Sequence, residues 1–68
     1  MTAPDIALLT IPETAGRLRC SKNHVYRLIA SGALPAADIA QPGARAPKTR
    51  IRDGDLARYI DRQTRRIA

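Results

Sequence analysis

Neither Phe nor Trp occurs in this chain, and Tyr26 and Tyr59 are its two tyrosines. Ile, Leu and Val must therefore fill any core, and the scarcity of aromatic platforms for stacking unpaired bases makes RNA a less expected partner than DNA. Cys20 is the one cysteine, which excludes an internal disulfide and suits a reducing cytoplasm. It reads as a small packing residue. One His, six acids and no Gly-rich phosphate loop supply no nucleophile with its base, no pocketed carboxylate pair and no metal cluster. Catalysis, a bound cofactor and a resident metal are not expected. Asp53 and Asp55 invite a calcium reading, but a calcium loop needs several more oxygen ligands at set spacing. Residues 1–5 lack the basic start and apolar run of a signal peptide, and no stretch is long and apolar enough to span a bilayer. The expectation is a cytoplasmic protein with no membrane partner.

What the chain does have is positive charge. Twelve Lys and Arg stand against six acids, a net charge of +6 on 68 residues, and ten of the twelve bases are Arg. Such density on a small surface attracts polyanions, and guanidinium groups suit bidentate contacts with phosphate and guanine. The length makes one domain, residues 1–68 with an ordered core at about 8–64. A chain this short buries only about 60% of its unfolded surface, so its core is small.

Thr10-Ile11-Pro12-Glu13 reads as a helix start, with Thr10 as the cap, Glu13 returning the bond and Pro12 tolerated in the first turn. The helix runs to about Leu18, with Ile11, Ala15 and Leu18 on one side, and Gly16 marks a place for a second helix to approach closely. Arg19 and Cys20 form a turn, Ser21 caps the next helix, and Val25, Leu28 and Ile29 give it one apolar stripe until Gly32 stops it. The opposite face holds Asn23, Arg27 and Ala30, flanked by His24 and Tyr26. Beyond Gly32 the period changes. Residues 34–40 are compatible with a strand, Gln41 to Pro47 with a loop, and Lys48-Thr49-Arg50-Ile51-Arg52 alternates with Thr49 and Ile51 inward. Asp53 caps a last helix whose buried stripe is Leu56, Tyr59 and Ile60, in which Asp61 pairs with Arg65, and whose tail from Arg65 to Ala68 frays. The fold class expected is mostly α with a small β-hairpin: two short helices, a two-stranded antiparallel wing and a C-terminal helix.

Leu9-Thr10, Ala15, Leu18, Ser21, Val25-Tyr26-Arg27-Leu28-Ile29, Ser31-Gly32, Leu34-Pro35-Ala36, Asp55-Leu56 and Tyr59-Ile60 follow one another in an order and spacing that carry a family likeness. Over residues 8–61 the chain resembles the excisionase-type winged helix-turn-helix proteins, relatives of the MerR-like regulators that include phage excisionases and AlpA-like prophage regulators. It departs from many of them in the wing, where the loop from Gln41 to Pro47 is longer and holds one Arg, and Thr49 stands near the place of an aromatic. The resemblance implies a second helix in the major groove and a wing in a neighbouring minor groove. From phage relatives it also implies DNA bending, self-association side by side on double-stranded DNA, contact with an integrase and a host bacterial cytoplasm.

Within that frame, Asn23 suits adenine and Arg27 guanine, while Ser21, Lys22 and Tyr26 flank the insertion face and suit phosphates. Arg45 at the loop tip suits a narrow minor groove, and Lys48, Arg50 and Arg52 line the outward side of the hairpin. Each also has a plain structural reading as a solvated surface residue. His24 and the run Arg58, Arg62, Arg65 and Arg66 are most simply exposed helix residues. Three roles compete: an excision factor directing an integrase, a small transcription regulator, and a protein-interaction adaptor or antitoxin on a helix-turn-helix scaffold. MerR-type regulators usually add a long coiled coil, which these residues do not contain, and the expectation leans to the excision factor.

Overall fold

The computed structural model describes residues 7–66. Its elements, in order, are β1 (Leu8–Leu9), α1 (Ile11–Leu18), α2 (Lys22–Ala30), β2 (Ala37–Asp38), β3 (Thr49–Arg52) and α3 (Asp53–Arg66). Both short helices begin as their residues dictate. Thr10 Oγ1 accepts the Glu13 N–H at 3.2 Å and Glu13 Oε1 accepts the Thr10 N–H at 2.8 Å, a complete capping box. Ser21 Oγ accepts the His24 N–H at 3.1 Å and caps α2.

The two helices also end alike. After α2, the Gly32 N–H donates to Ile29 O and the Ala33 N–H to Leu28 O, with Gly32 at φ 82°. After α1, the Arg19 N–H donates to Gly16 O and the Cys20 N–H to Ala15 O, with Arg19 at φ 55° and ψ 46°. Both ends follow the left-handed closing motif that satisfies the last carbonyls. Gly32 adopts that conformation freely, whereas a side chain with a Cβ there costs on the order of 1 kcal/mol.

The wing is a three-stranded sheet, order β1-β3-β2, where two strands were expected. The added strand β1 pairs antiparallel with β3 through Leu8↔Arg52 and Leu9↔Ile51. Two residues are too few to display a period, so nothing local announces β1. On the other side β2 pairs with β3 through Ala37↔Arg50 and Asp38↔Thr49, and β2 is shorter than the stretch 34–40 because Leu34 turns inward as a core residue. The Asp38 carboxylate accepts the N–H groups of Ala40 (2.9 Å) and Lys48 (3.0 Å), which closes the base of the long loop and holds this carboxyl below its ordinary pKa. At the tip, Ala44 N–H donates to Gln41 O with Gly43 at φ 82°, the arrangement that a Pro-Gly pair favours in a β-turn.

Leu9, Ile11, Ala15, Val25, Leu34, Ile51 and Leu56 form one buried cluster, with Leu18, Cys20, Leu28, Ile29 and Tyr59 packed against it. Thr14 is buried among them, its hydroxyl donating to Thr10 O at 2.9 Å. Three expectations change here. Ile60 is 42% exposed and stands outside the α3 stripe of Leu56 and Tyr59. Asp53 turns away from the role of a simple cap: its Oδ1 accepts the Ala7 N–H and its own N–H donates to Ala7 O, so it extends the β1–β3 contact. Helix α3 is ordered through Arg66, with Asp61 and Arg65 paired at 3.0 Å as expected, while Ile67 and Ala68 of the expected frayed tail lie outside the described residues.

Gly16 gives a direct test of the helix packing. It is exposed, and a Cβ built there meets nothing within 4 Å, so no helix approaches it closely. Its role reduces to a weak point in a short helix. Gly16→Ala is expected to stabilise the domain by about 0.5–1 kcal/mol, seen as a higher urea midpoint with an unchanged slope. A destabilised variant would mean that another element packs on this face after all.

Candidate nucleic-acid interface

Helix α2 presents Ser21, Lys22, Asn23, His24, Tyr26 and Arg27 to solvent and buries Val25. Nine residues make a helix roughly 14 Å long, slim and short enough for a major groove. Ser21 has spent one lone pair on its cap, and its hydroxyl keeps a hydrogen to donate. Lys22 and Asn23 lie in the first turn, the end that enters the groove in helix-turn-helix docking. Arg27 and Tyr26 follow one turn later on the exposed side, Tyr26 at 53% exposure.

The base of the wing stands beside this helix. A cleft of about 320 Å³ lies between them, bounded by Thr10 and Pro12 at the start of α1, Tyr26 of α2, and Pro47, Lys48 and Arg50 of the wing. The expected row of three outward cations is not kept together. Lys48 is exposed at the cleft. Arg50 is half-buried and folds back, donating to Thr49 O at 2.9 Å, and its charge reaches Glu13. Arg52 is drawn to the far end of β3, where its Nε lies 3.5 Å from Asp55 Oδ2 and it faces Leu8 across the sheet. Contact of Arg52 with DNA would require leaving Asp55. Arg45 sits exposed just past the turn at the wing tip.

The acids are distributed in a way that leaves all of these cations but Arg52 without an ion pair among the described residues. From residue 14 to residue 52 there are eight bases, Arg17, Arg19, Lys22, Arg27, Arg45, Lys48, Arg50 and Arg52, and a single acid, Asp38. Asp38 is committed to backbone N–H groups. Glu13 is committed to the cap of α1, and its carboxyl is held below the usual range first by the Thr10 backbone N–H, then by the Thr10 hydroxyl and the charges of Arg17 and Arg50. The remaining acids of the described residues sit on α3, where Asp53 holds the Ala7 N–H and the other two serve arginines. Asp55 takes Arg58 as well as Arg52, Asp61 takes Arg65, and Arg62 donates to Ala33 O at 3.1 Å. Arg58, Arg62 and Arg65 thus each have a partner within the fold, while the Arg58 and Arg65 side chains stay largely exposed, as expected of helix charge. Arg17 and Arg19 were not among the expected site residues, although the acid-free run between Glu13 and Asp38 marks them.

This geometry, a capped helix, a tight turn, a second helix with an open polar face and a basic wing, agrees with one comparison. The helix-turn-helix domain family matches residues 8–64, most of the chain. The chain belongs to the helix-turn-helix domain family. That match covers nearly the same residues as the excisionase-type resemblance and agrees with a winged helix-turn-helix fold. The family is one of DNA-binding domains, and nothing about it points to catalysis. No curated protein and no solved structure matches the chain. Among the described residues no helix of this helix-turn-helix domain is long and apolar enough to cross a membrane.

Proposed function

We propose that this helix-turn-helix domain is a phage or prophage excisionase, which binds and bends attachment-site DNA and directs an integrase toward excision. DNA binding rests above all on one observation: among the described residues Lys22 and Arg27 of α2 and Arg45, Lys48 and Arg50 of the wing form no ion pair with an acid, while the acids are spent on caps, backbone, Arg52 and α3. A protein-binding scaffold has no need of such a division. In this reading Asn23 and Arg27 read adenine and guanine in the major groove, Ser21, Lys22 and Tyr26 hold flanking phosphates, and Arg45 enters the neighbouring minor groove. Lys48 and Arg50 follow the backbone beside the cleft. Assembly side by side on adjacent sites supplies the affinity that one small module lacks. The excision role is supported by the resemblance over residues 8–61.

The test is selection of bound fragments from the source genome at moderate salt, followed by footprinting. Tandem sites beside an integrase attachment site, with bent DNA, are the expected result. Isolated sites over promoters would replace the excision factor by a transcription regulator, and no enrichment at all would leave the protein-interaction adaptor. On the selected site, Arg27→Ala is expected to weaken binding by about 1–3 kcal/mol and to relax the choice of base at one position. An equal loss on every duplex would make Arg27 a phosphate contact.

A further inference from the structure

The turn between α1 and α2 carries a feature that the reading above does not use. Its left-handed residue is Arg19, in the same hydrogen-bonded motif that Gly32 occupies after α2. Gly is the residue that this backbone favours, so an exposed Arg with φ 55° costs stability and brings no contact to the core. What it adds is charge. Among the described residues Arg19 and Lys22 form no ion pair, and the nearest acid along the chain, Glu13, is bound to the α1 cap and faces Arg17.

The position of this charge is set by α1. In helix-turn-helix docking the first helix crosses the DNA backbone and the second enters the major groove by its N-terminal end. The turn before Lys22 therefore lies at one lip of the groove. At the other end of α1, Thr10 and Pro12 share the cleft with Lys48 and Arg50. Eight residues of helix measure about 12 Å, and the major groove of B-DNA is about 12 Å wide. We infer that α1 spans the groove with a cationic group at each end: Arg19 with Lys22, assisted by Arg17, on the phosphates of one strand, and Lys48 with Arg50 on those of the other. The inference rests on the DNA-binding reading and adds to it which strand each group holds.

The test uses the full chain and a duplex carrying neutral methylphosphonates one position at a time, with fluorescence anisotropy and thermal melting. The wild-type protein is expected to show sensitive phosphates in two clusters, one on each strand flanking a single major groove. Arg19→Gly is expected to melt higher, by about 4 °C, because the backbone relaxes. The same variant should bind roughly five- to tenfold more weakly at 0.1 M salt, lose about 0.9 from the salt slope and lose one sensitive phosphate from the cluster on its own strand, with the other cluster unchanged. Arg19→Asn, which also tolerates the left-handed conformation, should weaken binding similarly, and Arg19→Lys should restore most of it. Wild-type affinity and an unaltered strand pattern in Arg19→Gly would overturn the inference and leave the charge to an acidic protein surface. Loss of both clusters together would overturn it as well. Failure of the wild-type protein to bind any duplex would instead bring down the DNA reading itself, before any variant is compared.

Discussion

Duplex binding by this domain is expected to fall with a slope of about −4 to −6 when log K is plotted against log salt, from five or six phosphate contacts. Between 50 and 200 mM salt that amounts to a loss of roughly 250- to 4,000-fold in affinity. The number of contacts follows from which cations are free. Arg19, Lys22, Arg27, Arg45, Lys48 and Arg50 stand along α2, its preceding turn and the wing without an acid in ion-pair contact among the described residues. Arg52, Arg58 and Arg65 are held by Asp55 and Asp61, and Arg62 by the Ala33 carbonyl. If α3 also lay on the duplex, more counterions would be released and the slope would be steeper, near −8. Anisotropy titrations at four or five salt concentrations distinguish the cases. A flat line would remove DNA as the main partner, because phosphate neutralisation cannot occur without counterion release.

The second large effect concerns the fold. Ile51→Ala is expected to destabilise the domain by about 2–5 kcal/mol. Ile51 is fully buried on the central strand of the sheet, opposite Leu9 of β1 and inside the single core cluster. At about 0.05–0.15 kcal/mol per residue, a chain of 68 residues has only a few kcal/mol in reserve. A fall in Tm of more than about 10 °C, or outright loss of the cooperative transition by circular dichroism, is the expected result. Ile60→Ala, on an exposed side chain of α3, is the internal control and should cost under about 0.5 kcal/mol. Equal losses from the two substitutions would contradict the packing described for α3.

The local features of this domain were legible in the sequence because each depends on neighbours within a few residues. Thr10 with Glu13 made a capping box, Ser21 capped α2, Gly32 closed it, and Asp61 met Arg65 one turn on. The spacing of Val25, Leu28 and Ile29 turned Asn23 and Arg27 outward, so the open face of α2 could be read directly. The wing was readable in outline from the alternation of Lys48 to Arg52 and from the Pro- and Gly-containing loop of Gln41 to Pro47. Gly16 was misread because a glycine in a helix looks the same whether it admits a neighbour or faces water.

By itself, then, the sequence determined the order of the helices, their caps and stops, the face α2 leaves open and the excess of positive charge. The tertiary structure decided the rest. Strand β1 exists only because β3 arrives beside Leu8 and Leu9, and two residues carry no period of their own. The same long-range pairing brings Ala7 to Asp53 and fixes where β3 ends. Which arginines stay free was in part a tertiary matter, since Arg62 is held by the carbonyl of Ala33, 29 residues away along the chain, which no reading of adjacent residues ranks above solvent. Charge is a property of composition, but its availability to a partner depends on where the folded chain has already spent its acids and carbonyls.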